Sequence, residues 1–161
     1  MNTKSILQAI VVASISFNSF ADVCSEGVKL IHTKNYKQAL EKLNSISNTN
    51  NKVCIFGISV VNYFGYGVPQ NYDKAFAYAK QAAQLGQPEA QGFLSGMYAE
   101  GQGTEKNLVK AHMWANIASA QGIDFAKEVR ESVTQKLSAI EINEAQAKAS
   151  LCKEKNYLNC E

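Results

Sequence analysis

Along much of this chain the apolar residues return at intervals of three and four. Ala75, Tyr78, Ala79 and Ala82 form one such set, and Ala111, Trp114, Ile117 and Ala118 another. That spacing puts each set on one face of a helix. The helical stretches are punctuated by glycine. Gly65 and Gly67, like Gly101 and Gly103, follow the predicted end of one helix, where a positive φ is wanted and glycine adopts it without strain. Asn71 and Asn107 then stand where a side-chain oxygen can cap the next helix. Gly86 and Gly122 end that second helix, and Pro88 is placed to open the one after it.

The same features recur at a constant interval. Asn35-Tyr36-Lys37-Gln38-Ala39, Asn71-Tyr72-Asp73-Lys74-Ala75 and Asn107-Leu108-Val109-Lys110-Ala111 are spaced 36 residues apart, and the same step relates Gly65 to Gly101, Tyr78 to Trp114 and Gly86 to Gly122. Each unit therefore reads as two antiparallel helices joined by a glycine-bearing turn. One such hairpin cannot cover its own apolar face, so neighbours must stack into a solenoid. The predicted fold is all-α, a right-handed solenoid of helix pairs, over residues 22–161: a first hairpin at 23–47, repeats at 52–86 and 88–122, terminal helices at 123–155 and a tail at 156–161. Ser138-x-x-Glu141 supplies a capping box for the last helix.

The opening segment breaks this pattern. Met1–Ala21 carries an early Lys4, an apolar stretch around Ile6–Ile15 and small residues at Ser19 and Ala21, which reads as a cleaved secretory signal. Gln8, Ser14, Ser16 and Asn18 interrupt the apolar run and leave it short for a membrane span. Export to a periplasm or beyond places the four cysteines in an oxidising space, where paired thiols persist. Three pairings are open; the spacings favour Cys24 with Cys54 and Cys152 with Cys160. The second pair requires the chain to turn back near Asn156, because eight residues of continuous helix span about 12 Å. A zinc site is the competing reading, but the chain has no C-x-x-C and only His32 and His112 to supplement the thiolates.

Charge and composition narrow the function further. A net charge of +2, with Arg130 the only arginine, leaves no surplus to neutralise a phosphate backbone, so nucleic acid is excluded as a partner. The GxG pairs end helices instead of following strands, which argues against a dinucleotide site. No G-x-S-x-G pattern occurs, and of the two histidines His32 ends the first helix while His112 reads as a helix-surface residue. No catalytic residue, metal or cofactor is assigned, and the chain is read as a non-enzyme.

Two stretches resemble a known repeat. Ala90-x-x-x-Leu94-Ser95-x-Met97-Tyr98-x-x-Gly101-x-Gly103, followed by Lys110-Ala111-x-x-Trp114-x-x-x-Ala118-x-Ala120-x-Gly122, is similar to the Sel1-like repeat, an α-solenoid unit related to the tetratricopeptide repeat. The copy from Cys54 to Gly86 keeps Gly65, Gly67, Lys74, Ala75, Ala82, Ala83 and Gly86, while the first hairpin, with Gly27, Leu30, Ala39 and Leu43, resembles a tetratricopeptide unit. The resemblance implies a scaffold that binds a protein or peptide in a concave groove lined by the first helix of each pair. It marks Val28, Ile31, His32, Phe56, Val60, Tyr63 and Phe64, continued by Gly92, Gly96, Ala99 and Glu100, with Tyr63 and Tyr66 as aromatic anchors. Phe56 and Phe64 have an equally good alternative in packing against a neighbouring helix, and Tyr78, Tyr98 and Trp114 hold core positions. Within the binding class the resemblance implies an immunity protein or a cell-envelope adaptor. The contrasting class is a hydrolase acting on cell-wall or β-lactam substrates, as proposed for cysteine-rich relatives, which place a cysteine pair in every repeat; this chain has none between Cys54 and Cys152.

Overall fold

The computed structural model describes residues 23–45, 50–158 and 160. The segment read as an export signal, and residues 46–49 at the end of the first hairpin, lie outside it. The described residues hold helices and no strand: α1 (23–32), α2 (Tyr36–Ser45), α3 (Lys52–Phe64), α4 (Tyr72–Gln84), α5 (Pro88–Glu100), α6 (Leu108–Ser119), α7 (Asp124–Thr134) and α8 (Ala139–Glu154). The fold is an α-solenoid in which consecutive helices from α2 to α7 pack on one another, α7 lies also along α5, and α8 lies along α6.

The helix ends follow from the residues named above. Asn71 and Asn107 accept from the backbone N–H of Lys74 and Lys110, at 2.8 and 2.9 Å. Gly65 and Gly101 close α3 and α5 in the left-handed conformation, each donating its N–H to the carbonyl four residues back. Pro88 opens α5, and Ser138 with Glu141 forms a reciprocal capping box on α8.

The second glycine of each pair does something different. A Cβ built on Gly67 would lie 3.1 Å from the Cβ of Tyr36, and one on Gly103 would lie 2.1 Å from the carbonyl oxygen of Tyr72. Tyr36 and Tyr72 each begin the second helix of the preceding hairpin, so this glycine is where one repeat's loop rests on the backbone of the repeat before it. Alanines serve the same close approach inside the stack: Ala75, Ala79, Ala82, Ala83, Ala90, Ala111, Ala115 and Ala118 are fully buried. Leu94, Met97, Met113, Trp114 and Ile117 fill the main core, and Cys24, Leu43, Cys54, Ile58 and Val61 form a smaller one at the N-terminal end. Buried hydroxyl and amide groups are satisfied by backbone: Ser59 donates to the Ala75 carbonyl at 2.7 Å and Gln91 to that of Ala83 at 3.1 Å.

Two disulfides fasten the ends. Cys24 is joined to Cys54, tying α1 to α3, and Cys152 to Cys160, with Cα atoms 4.8 Å apart. The chain reverses after α8 through Asn156 and Tyr157, both at positive φ. This brings the Tyr157 ring over Gly86, in the turn between α4 and α5, within 3.2 Å of where a Cβ would be.

One expectation is corrected. His112 is not a surface residue; it is buried, because α6 is packed against α5, α7 and α8 together and has no open face at that position.

Candidate functional site

The first helices α3, α5 and α7 form the wall of a groove, and α5 supplies its floor. Gly96 lies at mid-helix, and a Cβ built there meets no atom within 4 Å. The floor is open at the point where an ordinary side chain would fill it. A cavity of about 190 Å³ lies over this glycine, bounded by Tyr63 of α3, by Gly92, Phe93, Met97 and Glu100 of α5, by Phe125 and Val129 of α7, and by Gln102 in the loop after α5. A second cavity, of about 280 Å³, continues it towards the C-terminal end of α7 and adds Leu108, Glu128, Ser132, Val133 and Lys136. Gly96, Glu100 and Val129 border both.

The walls are held in place by one another. The Tyr63 hydroxyl donates to the side-chain oxygen of Gln102 at 2.7 Å, tying α3 to the loop of the next repeat. Its ring meets those of Phe64, Tyr72 and Phe93 edge-on, at 4.8 to 5.1 Å. Phe125 lies on Gly92, with ring atoms 2.8 Å from the position of an added Cβ, so glycine at that position lets α7 carry an aromatic ring into the groove wall. Phe125 nevertheless remains 43% exposed, and Glu100 and Glu128 are exposed at the rim.

The residues proposed from sequence fall into two sets. Tyr63, Gly92, Gly96, Ala99 and Glu100 line the groove. Phe56 is half-buried with its ring edge-on to Phe93 at 5.7 Å, which places it behind that wall. Phe64 is half-exposed and stacked on Tyr66, and Tyr66 stacks in turn on Tyr36 of the first hairpin at 4.4 Å, nearly parallel. Tyr66 thus fills the seam between hairpins and does not border either cavity. Ile31 packs against the N-terminal core, and His32 is exposed at the end of α1; with Val60 they also lie outside the two cavities.

Sequence reasoning missed Phe93, Gln102, Phe125, Glu128, Val129 and Lys136. Half of these, Phe125, Glu128 and Val129, belong to α7, which had been read only as a terminal helix. The signal was present: one further step of 36 residues carries Phe93 to Val129, Gly96 to Ser132 and Glu100 to Lys136, all of which border the groove.

This arrangement is suited to noncovalent binding. Of the buried side-chain nitrogen and oxygen atoms among the described residues, His112 Nδ1 and Trp114 Nε1 lack a hydrogen-bond partner. Burial and then the nearby Arg130 guanidinium hold the His112 imidazole below its ordinary pKa, and it lies in the α6 packing, not in the groove. Arg130 itself donates to Asn116 at 3.3 Å and to Ser119 at 3.1 Å. Among the described residues no cluster of three or more His, Cys, Asp or Glu could hold a metal ion, and no helix is long and apolar enough to cross a membrane.

Comparison with known proteins agrees with this architecture. The family model for the Sel1 repeat matches residues 54–87 and 88–123. Among solved structures, a protective antigen present in uropathogenic Escherichia coli strains and displaying an SLR fold superposes with a TM-score of 0.80 at 23% identity over 88% of this chain. A Sel1 repeat protein from Oxalobacter formigenes does so with a TM-score of 0.66 at 24% identity over 86%. This chain spans 31% of the first protein and 64% of the second, and the likeness is one of fold. No curated protein matches it significantly.

Proposed function

Because this chain belongs to the Sel1-like repeat family, whose members serve as interaction scaffolds, we propose that it binds a protein or peptide partner in the groove between α3, α5 and α7. The observation that carries this reading is the open floor at Gly96 beneath walls of Tyr63, Phe93, Phe125 and Val129. A mid-helix glycine costs about 0.5–1 kcal/mol relative to alanine, and here no neighbouring atom requires it. An exposed apolar strip with a polar rim is the ordinary form of a docking site, and aromatic residues are its usual anchors.

The two disulfides and the apolar segment after Lys4 support export, since such bonds persist in oxidising compartments. The role is that of an immunity protein or a cell-envelope adaptor, and it requires no catalysis. The test is Gly96→Leu, which plugs the groove while leaving the core untouched. A partner retained by the wild-type protein in a pull-down from the native envelope should be lost by this variant at unchanged thermal stability. Equal retention by both proteins would move the binding surface elsewhere.

A further inference from the structure

The smaller cavity has a chemical bias that the groove as a whole does not. Its lining consists of three aromatic rings (Tyr63, Phe93 and Phe125), the thioether of Met97, the amide of Gln102, the apolar Val129, two glycines and one charged group, the Glu100 carboxylate. The oxygen of Gln102 accepts from the Tyr63 hydroxyl, so that hydroxyl turns its lone pairs outward from the bond it makes. Aromatic faces carry negative potential, and a carboxylate beside them completes a surface that favours a positive group. No lysine, arginine or histidine borders this cavity. Glu100 makes no ion pair among the described residues, and Glu128 stands close by in the adjoining cavity, where Lys136 is the one cation, towards the end of α7.

We propose that this cavity receives a basic side chain, Lys or Arg, of the partner peptide, with the aliphatic stem lying over Gly96 and the charged head at Glu100. The stem gains apolar contact with Phe93, Phe125 and Val129, while the head keeps access to water at the exposed rim. Specificity thus resides in a carboxylate that an uncharged peptide leaves unpaired. This deepens the groove reading and rests on it.

The test is an amide chemical-shift titration of the disulfide-bonded protein with three peptides: acetyl-alanyl-leucyl-lysyl-alanine amide and its glutaminyl and glutamyl counterparts. The lysyl peptide should shift the amides of Gly96, Glu100 and Val129 saturably, and bind at least about fivefold more tightly than the glutaminyl one. Glu100→Gln should erase that preference without lowering the unfolding temperature, and the glutamyl peptide should bind most weakly. Raising the salt from about 0.15 M to about 0.5 M should narrow the gap. Equal binding of the lysyl and glutaminyl peptides, or a preference that survives Glu100→Gln, overturns the cation reading and leaves the groove standing. Absence of saturable shifts with every peptide also overturns it, whereas the groove reading is judged separately by Gly96→Leu in the pull-down. If choline binds and the lysyl peptide does not, the occupant is a free amine and the proposal for a peptide side chain fails.

Discussion

Replacing Gly103 by alanine separates two reasons for which a glycine can be required. Gly101 and Gly103 share a loop and have nearly the same backbone, with φ of 72° and 67°. Placing alanine in the left-handed region costs about 1–2 kcal/mol at either position. At Gly101 the new methyl would lie 3.2 Å from the Lys106 nitrogen, a tight but tolerable approach. At Gly103 it would lie 2.1 Å from the carbonyl oxygen and 2.5 Å from the carbonyl carbon of Tyr72. Those are backbone atoms at the start of α4, so no rotamer change relieves the overlap; the loop must lift away from the preceding repeat. Such overpacking adds about 1–3 kcal/mol, for a total of about 2–5 kcal/mol against a domain stability of about 5–15 kcal/mol. Urea unfolding followed by helical circular dichroism measures the difference. With a slope of about 2 kcal/mol per molar, the midpoint of Gly103→Ala should fall roughly 0.5–1.5 M below that of Gly101→Ala. Coincident midpoints would refute the claim that the second glycine of the pair is the contact between repeats.

Two further outcomes follow from buried groups. The folded-state pKa of His112 is depressed below its ordinary 6.5 by burial and Arg130, so the unfolded chain binds the proton more readily, and stability should fall as pH drops through and below about 6.5. Thermal melts at about pH 7.5 and about pH 5 should show this acid loss in the wild type and a smaller one in His112→Gln; identical losses would place the sensitivity elsewhere. Removing the Cys152 to Cys160 bond with a double serine variant opens a short loop and should cost about 2–3 kcal/mol, while the longer Cys24 to Cys54 loop should cost about 3–4 kcal/mol. Loss of the first should also free Tyr157 from Gly86, seen as faster exchange of the Gly86 and Gln87 amides, and unchanged exchange would show that the tail holds without its bond.

Much of this molecule is decided within a few residues of chain, and that part was legible. Helical spacing around Ala75 and Ala111, asparagine caps, left-handed glycines and the opening proline act through neighbouring backbone, so a repeated pattern implies a repeated hairpin. A fixed step of 36 residues then implies stacking, because no single hairpin covers its own apolar face. What surrounds a side chain after stacking is not a local property. His112 looks exposed on its own helix and is buried because α5, α7 and α8 all pack on α6. Tyr66 and Tyr63 look alike in sequence, but one stacks on Tyr36 in a seam between hairpins and the other turns a ring and a hydroxyl towards the next repeat. The groove depends on three helices from three units, with an absent side chain at Gly96 and a borrowed ring at Phe125. Its shape is set by distances between residues more than thirty positions apart, which the tertiary packing alone determines.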